Sequence, residues 1–328
     1  MEITTVAVLG GSGFVGRHVC QALAAQGYRV RVATRDRERA KEQLILLPTV
    51  DLAVADVHDP SQLAVLLRGA DAVINLVGVL HEGRGPASFQ GAHVELARKV
   101  VAACKAVGVS RLLHMSALGA DPAGPSRYQR TKGEAEAVVR ESGLAWTIFR
   151  PSVVFGRGDG FLNLFARLLK MAPVVTLPRP DTRFQPVHVE DVAAAFVRSL
   201  ESPDSTGKSY DLCGPRAYRL RELVEYVGQV TGRRRWIIGL PDGLSYLQAL
   251  TMELPPLKQI LRSLGMLMTR DNYYSMKVDS VCKGDFPFGI APTALEGIAP
   301  GYLGGRAPRR RYYGFRGRAG RTKTVNGE

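Results

Sequence analysis

The chain is poor in cysteine, contains no long apolar run and has fewer acidic than basic residues. Its four cysteines lie far apart and none has C-x-x-C spacing, so we expect reduced thiols and no zinc site. No run approaches 18 apolar residues, which argues against a spanning helix. Residues Met1–Thr5 lead directly into an apolar run without a signal-peptide pattern. We therefore expect a cytoplasmic protein, peripheral at most on the inner face of a membrane.

The excess of positive charge is concentrated at the carboxyl end. The formal net charge is +14, and residues 306–328 contain eight basic residues and one acidic residue, half of the net charge. We predict a basic, flexible tail there. Its mixture of arginine and aromatic residues is typical of RNA-binding segments, but charge alone also attracts phosphate. The sequence therefore does not predict specific nucleic-acid recognition.

The first 150 residues alternate short apolar runs with segments of helical spacing. Such alternation indicates parallel strands joined by crossover helices, covered on both faces. The predicted strands are 6–9, 29–34, 52–55, 72–77, 112–115 and 146–149. After residue 150 the pattern loosens into helices, including Phe161–Met171 and a stripe over 218–230. We predict a doubly wound α/β domain over 1–150, a smaller, mostly helical domain over 151–305 that is interleaved with the first, and the tail over 306–328.

A glycine-rich loop follows the first predicted strand and enters a predicted helix. The glycines give the pattern G-x-x-G-x-x-G, in which the first allows a tight turn, the second admits a pyrophosphate and the third lets the helix pack on the strand. The helix amino terminus offers free N–H groups and partial positive charge to phosphate. In this βαβ context the loop predicts a Rossmann dinucleotide site. The predicted contacts are Gly10, Gly11, Ser12, Gly13, Phe14, Val15 and Gly16.

The end of the second predicted strand bears on the choice of coenzyme. A carboxylate there binds the ribose hydroxyls of NAD, whereas an arginine suits the additional phosphate of NADP. Arg35, followed by Arg37, Arg39 and Lys41, favours NADP(H), and Asp36 keeps NAD(H) possible.

Two further strand ends are predicted to contact the coenzyme. Asp56, followed by Val57, ends the third strand, where a carboxylate accepts from an adenine amino group. Leu76, Val77 and Gly78 end the fourth strand, and Gly78 would allow the backbone to lie near the second ribose.

A Tyr–Lys pair supplies candidate acid–base chemistry. Tyr128 and Lys132 are four residues apart, so a helix places both side chains on one face. A nearby ammonium lowers a phenol pKa, and we expect Tyr128 to exchange a proton with a substrate oxygen. Lys132 could also bind the nicotinamide ribose. Ser116, at the end of the fifth strand, is the candidate that holds the substrate oxygen.

On these residues, with the segments 150–156 and 186–192, the chain resembles the extended or atypical short-chain dehydrogenase/reductases. Segments 116–121, 126–134, 155–163 and 275–281 most resemble bacterial relatives of the nucleotide-binding accessory subunit of respiratory complex I. The resemblance implies tightly held NADP(H), a structural role in the mitochondrial complex, and a link of some relatives to quinone biosynthesis. The basic tail departs from the family pattern.

Three functions stay open at this point. The first is an NADP(H)-dependent reductase or dehydrogenase acting through Tyr128, Lys132 and Ser116. The second is a non-catalytic, nucleotide-stabilised subunit or assembly factor of a respiratory membrane complex. The third is a nucleotide-sugar epimerase or dehydratase, because residues 150–151 and 188–191 are shared with that branch. No set of residues in the second domain is recognisable as a sugar-nucleotide site.

Other segments have both plain and functional interpretations. Residues 240–268, rich in leucine and methionine, are expected in the core of the second domain, or on an exposed face for a quinone, a membrane or a large partner. Asp191 is expected to cap its own helix, and His188 with Glu190 lacks metal-ligand spacing, so no metal is predicted. His81 and Glu82 are expected on a solvated loop.

Overall fold

The computed structural model describes residues 3–44 and 46–304. The predicted tail, 306–328, lies outside the described residues. The strands are, in chain order, β1 (Thr5–Leu9), β2 (Arg29–Thr34), β3 (Val50–Val54), β4 (Ala72–Asn75), β5 (Arg111–Met115), β6 (Ala145–Pro151), β7 (Val154–Phe155), β8 (Val174–Pro178), β9 (Arg183–Phe184), β10 (Val187–His188), β11 (Lys208–Leu212), β12 (Tyr218–Arg219) and β13 (Trp236–Leu240).

Helices connect these strands. The α-helices are α1 (Phe14–Ala25), α2 (Arg37–Leu44), α3 (Pro60–Leu67), α4 (Leu96–Val107), α5 (Arg127–Arg140), α6 (Phe161–Met171), α7 (Val189–Glu201), α8 (Leu220–Thr231), α9 (Asp242–Met252), α10 (Leu257–Ser263), α11 (Arg270–Ser275) and α12 (Leu295–Leu303). Short 3₁₀ turns cover Gly85–Ala87, Pro203–Ser205 and Pro287–Gly289, and a π-helical turn covers Gln90–Glu95.

Seven strands form one parallel sheet in the order β11-β6-β5-β4-β1-β2-β3. Residue Val6 of β1 pairs with Val30 of β2 on one side and Ala72 of β4 on the other. The chain winds away from β1 in both directions, so the predicted doubly wound α/β class is confirmed. The strand order reverses between β1 and β4, and this is where such sheets bind their ligands.

The sheet is apolar on both faces, as the short continuous runs predicted. Alternate residues of β1 point to opposite sides, so Val8 packs with Val19 of α1 and Phe196 of α7. On the other side, Leu9 lies in the cluster with Leu63 of α3 and with residues of α4 and α5. Two helical layers therefore hold the carboxyl ends of β1 and β4 in place.

A smaller lobe is built mainly from helices α6, α8 and α12 with two short strand pairs. Phe165 and Leu223 lie in its core with Leu295, and α8 ends at Gly232, whose φ of +68° is the left-handed cap conformation. The predicted helices at 161–171 and 218–230 are confirmed. Between these elements the chain returns to the large sheet as β11, and the division at residue 150 stays a prediction.

The cysteines differ from the prediction. Cys213 and Cys282 form a disulfide, whereas Cys20 and Cys104 are buried free thiols whose pKa values burial raises to about 12. The prediction of four reduced thiols is therefore wrong for one pair, because folding joins the end of β11 to a segment 69 residues later. Within the described ranges, no helix is long and apolar enough to cross a membrane.

Candidate functional site

The glycine loop forms a tight turn between β1 and α1, against the segment that follows β4. Gly10 has a φ of +80°, and a Cβ built on it would lie 3.2 Å from the backbone of Leu76 and Val77. Only glycine combines this conformation with so close an approach. The turn therefore brings two of the predicted contact segments together at the switch point of the sheet.

A side chain has little room at the second glycine of the pattern and none at the third. A Cβ on Gly13 would lie 3.1 Å from the carbonyl oxygen of Gly10, and one on Gly16 would lie 2.1 Å from the same oxygen. Gly13 is also the N-cap of α1 and supplies no side-chain hydrogen bond. This cradle of bare backbone at a helix amino terminus fits the pyrophosphate of a dinucleotide.

The two charged residues that follow β2, Arg35 and Asp36, have different environments. Asp36 accepts a hydrogen bond from the Arg39 amide at 3.0 Å, so this carboxylate caps α2. Arg35 is exposed at the same strand end. At the end of β3, Asp56 is exposed and accepts from the amide of His58 at 2.9 Å, with half-buried Val57 between them.

A segment of the smaller lobe also approaches the glycine turn. The guanidinium of Arg17, on the first turns of α1, donates a hydrogen bond to the carbonyl oxygen of Arg157. A Cβ on Gly158 would lie 2.5 Å from that guanidinium, and Gly158 has a φ of +91°. The loop after β7 therefore lies beside the first turns of α1. Arg17 was not among the residues predicted from the sequence.

The predicted lysine lies beside the predicted ribose-contact glycine. Lys132 is buried on α5, and its Nζ donates to the carbonyl oxygen of Met115 at 3.1 Å. A Cβ on Gly78 would lie 3.1 Å from the same Nζ. Ser116 follows Met115, and its buried Oγ has no hydrogen-bond partner among the described residues. The structure thus brings Gly78, Ser116 and Lys132 together, with Tyr128 one helical turn earlier.

A buried histidine, missed by the sequence analysis, completes this cluster. Nε2 of His93 accepts from the Val79 amide at 3.3 Å, and Nδ1 lies 2.9 Å from Oγ1 of Thr131. Its ring meets the Tyr128 ring edge to face, with centroids 5.5 Å apart. Thr131 donates to a backbone carbonyl, so His93 carries its proton on Nδ1. His93 lies on the π-helical turn, a feature frequent at functional sites.

Burial governs the protonation of these groups. Burial and the carboxylate of Asp271 raise the pKa of Tyr128 to about 12, and burial lowers the pKa of Lys132 to about 8. Burial, with the charge of Lys132, lowers the pKa of His93 to about 2. The expected lowering of the Tyr128 pKa is therefore wrong in direction, because desolvation and Asp271 act on the phenol. Tyr128 carries its proton throughout the neutral range.

Asp271 reaches the start of α5 from the other lobe. Its carboxylate accepts from the amide of Arg127 at 2.7 Å and from that of Tyr128 at 3.1 Å. Ser275, on the same short helix α11, donates to Ser126, the N-cap of α5, at 2.8 Å. The helix that carries Tyr128 is therefore capped by residues about 145 positions later in the chain. No local sequence signal indicates this contact.

The comparisons with known proteins agree with this geometry. An NAD(P)H-binding family model matches residues 10–203, which contain the glycine turn and the Tyr–Lys pair. NADH dehydrogenase (ubiquinone) 1 alpha subcomplex subunit 9 from Mus musculus is 31% identical over 298 residues, 88% of this chain and 77% of that protein. The chain belongs to this NAD(P)H-binding family.

Other members of the family and a solved structure extend the comparison. The same subunit from Arabidopsis thaliana is 36% identical over 224 residues, 66% of this chain but only 56% of that protein. Ceramide reductase from Caulobacter vibrioides is 31% identical over 238 residues, 72% of this chain and 74% of that protein. The NADPH-dependent quinone oxidoreductase from Escherichia coli, solved with NADPH, shares the fold with a TM-score of 0.71 and 20% identity, covering 90% of this chain and 98% of that one.

The other polar residues discussed from the sequence lie outside this cluster and make structural contacts. Asp191 does not cap α7, because its carboxylate accepts from the amide and hydroxyl of Thr293 at 2.6 and 2.9 Å. His188 is the N-cap of α7 and packs on Phe155. Glu82, expected on a solvated loop, pairs with Arg127 at 3.2 Å. Among the described residues, no cluster of three or more metal-ligating side chains occurs.

The arginine of the Arg150–Pro151 pair anchors α5 to the sheet. Arg150 donates to both carboxylate oxygens of Glu136, at 2.8 and 2.5 Å, and Arg140 donates to the same carboxylate at 2.6 Å. The Glu136 side chain is 1% exposed. The charge of Glu136 is therefore held in the interior by two guanidinium groups.

We predict that Arg150→Met lowers the free energy of unfolding by about 3 kcal/mol, because Arg150 binds both oxygens of the buried Glu136 carboxylate whereas Arg140 binds only one. Urea denaturation measures the change. Arg140→Met, at a half-exposed position, should cost less than about 1 kcal/mol. The double variant Arg150→Met/Glu136→Leu should recover much of the loss. A double variant as unstable as the single one would contradict the assignment of the loss to the unpaired carboxylate.

Proposed function

We propose that this protein is an NADP(H)-dependent reductase of carbonyl compounds, with Tyr128 as the proton donor. The observation that supports it is the grouping of Ser116, Lys132 and Gly78 beside a phenol that keeps its proton. A protonated phenol is ready to donate, which favours reduction of a carbonyl over oxidation of an alcohol.

The contacts to the coenzyme follow from the geometry of the cradle. Gly10, Gly13 and Gly16 with the start of α1 would hold the pyrophosphate, and Lys132 beside Gly78 would hold the nicotinamide ribose. Asp36 is engaged as a helix cap, whereas Arg35 is exposed at the end of β2. This difference supports NADP(H) over NAD(H), because an arginine suits the additional phosphate.

A reduced nicotinamide held by these residues would supply the hydride that the carbonyl carbon receives. The residues of the chain supply the remaining step, in which the phenol of Tyr128 gives its proton to the carbonyl oxygen and an alcohol forms. Ser116, whose hydroxyl lacks another partner, would donate to the same oxygen and orient it. Solvent then returns a proton to Tyr128.

A second candidate function is a nucleotide-stabilised peripheral subunit of a respiratory membrane complex. The observation that favours it is the similarity to the alpha subcomplex subunit 9 over 88% of this chain. In this role the nucleotide is a structural ligand that stabilises the folded state by mass action. The predicted position on the inner face of the membrane belongs to this candidate.

The test combines nucleotide analysis with one substitution. Mass spectrometry of nucleotide released from the purified protein should find NADP(H), and Tyr128→Phe should leave nucleotide affinity unchanged. NADPH oxidation with a soluble quinone or aldehyde should fall at least about 100-fold in Tyr128→Phe, whereas Tyr28→Phe, a tyrosine outside the cluster, should retain full turnover. Equal turnover in Tyr128→Phe would refute the reductase. Bound but slowly exchanging NADPH, together with loss of respiratory-complex assembly in a deletion strain, would instead establish the subunit role.

A further inference from the structure

The exposed apolar side chains of the described residues concentrate on one stretch of the smaller lobe. Of fifteen large hydrophobic residues that are exposed, eight lie within residues 236–264, on or beside β13, α9 and α10. We call these eight the 236–264 face. They are Trp236, Ile238, Leu244, Leu247, Leu254, Leu257, Ile260 and Leu264. Exposed apolar side chains concentrated in this way indicate an interaction surface.

The strand and helix parts of the 236–264 face lie side by side. In the β13–β8 pair, Trp236 is opposite Val174, which is itself 42% exposed. The side chain of Gln248, on α9, donates to Thr176 of β8 at 2.8 Å. The strand pair and α9 therefore present one connected surface.

Helix α10 does not pack into the hydrophobic core. None of its residues is buried, although Leu257 and Ile260 stand three residues apart and Leu264 follows four residues later. This spacing places the three side chains along one side of the helix. An apolar stripe that the described part of the chain leaves uncovered is best explained by a partner outside the chain.

Basic side chains accompany this face. Residues 233–264 contain five basic residues, Arg233, Arg234, Arg235, Lys258 and Arg262, and two acidic residues. Both acids are neutralised by arginines from outside the stretch, since Asp242 pairs with Arg179 and Glu253 with Arg270. Glu222 and Glu225 of α8 share a cavity with the three consecutive arginines and offset part of their charge. Lys258 and Arg262 stand on α10 among its exposed apolar residues.

We propose that the 236–264 face docks on an anionic lipid bilayer, with its leucine, isoleucine and tryptophan side chains in the interface and its basic side chains on the headgroup phosphates. Leucine and tryptophan beside lysine and arginine are the composition of segments that lie in the plane of a membrane. Each basic residue near an anionic surface adds to the attraction. The net positive charge that remains after these ion pairs favours an anionic lipid surface over a protein partner, whose surface would carry charges of both signs.

Docking would bring two segments that border the candidate site, the loop after β4 and helix α11, close to the membrane. Arg262 of α10 is close enough to His81, on the loop after β4, to lower its pKa together with burial. The next helix, α11, carries Asp271, which binds the start of α5. A carbonyl compound dissolved in the bilayer would then lie close to the loop and the helix that border Tyr128. This consequence rests on the proposed reductase, whereas the docking itself does not.

Flotation of the full-length protein with vesicles tests the docking. The protein should float with vesicles of phosphatidylcholine and phosphatidylglycerol and much less with phosphatidylcholine alone. Leu257→Ser/Ile260→Ser should lower the bound fraction at physiological salt, and Lys258→Glu/Arg262→Glu should weaken binding at low salt at least about tenfold. Val54→Ser/Val65→Ser, two exposed valines outside the face, is the matched control. The basic segment 306–328 is common to all variants, so the differences report on the face.

Three results would overturn the docking proposal. The first is absence of flotation of the wild-type protein. The second is binding by both face variants equal to that of the wild type and the control. The third is dimerisation, or co-purification with a respiratory complex, that the face variants abolish without any effect on vesicle binding. A Tyr128→Phe variant should float like the wild type, so failure of the reductase proposal is distinguishable from failure of docking.

Discussion

Gly16→Ala should reduce NADPH affinity at least about 1,000-fold, equivalent to about 4 kcal/mol. A methyl group at this position would lie 2.1 Å from the Gly10 carbonyl oxygen and 2.6 Å from the Cα of Gly11. Both neighbours are backbone atoms of the turn that forms the pyrophosphate cradle, so neither can move without distorting it. Calorimetry and the rise in melting temperature with NADPH measure the loss.

The matched control for Gly16→Ala is the same substitution in a different helix. Gly297 lies in α12, is exposed, and has no atom within 4 Å of a built Cβ. Gly297→Ala should keep full NADPH affinity and raise stability by up to about 1 kcal/mol, because alanine favours a helix. Gly13→Ala, with a closest contact of 3.1 Å, should fold and still bind NADPH weakly. Unchanged NADPH affinity in both loop variants would refute the dinucleotide site.

The free energy of unfolding should fall more steeply with decreasing pH than protonation of the carboxylates alone would cause. Burial, with the charge of Lys132, lowers the pKa values of His93 and His114 to about 2 and about 3, below the value near 6.5 of an unfolded histidine. The unfolded state therefore binds more protons between these values, so stability is fully present above pH 6.5 and falls as pH decreases. Below pH 6.5, each histidine should lower the free energy of unfolding by about 1.4 kcal/mol per pH unit, or by about 2.7 kcal/mol at pH 4.5.

Urea denaturation at pH 7 and pH 4.5 measures this dependence. His114→Gln and His93→Gln should each remove part of the acid-induced loss, and the double variant should remove most of the histidine contribution. His58→Gln, at a half-exposed position, should retain nearly all of it. Parallel pH profiles for the wild type and the double variant would show that these two histidines do not carry the effect.

The parts of the site that were predicted from the sequence consist of residues close together in the chain. The turn from Gly10 to Gly16 and the pair Tyr128–Lys132 each lie within one loop or one helix. Six of the seven strands of the parallel sheet were predictable for a similar reason, since each is a short, mostly apolar run. Strand β11 was not predicted, because it carries the polar residues Lys208 and Asp211 and lies at the edge of the sheet.

The remaining features depend on contacts between distant segments. His93 gains its role through Thr131 and the Val79 amide, and Asp271 through an amide 143 residues earlier. Cys213 is paired with Cys282, 69 residues later in the chain. The pKa of Tyr128 depends on burial and on Asp271, neither of which residue spacing reveals.

The contact of Asp271 with the first turn of α5 links the position of helix α11 to the pKa of Tyr128. Two amide hydrogens at the start of α5 are held by a carboxylate on α11. If α11 swings away, both hydrogen bonds break and a negative charge leaves the vicinity of the phenol. The position of α11 and the pKa of the Tyr128 phenol are therefore linked, and a ligand that displaces α11 would lower that pKa.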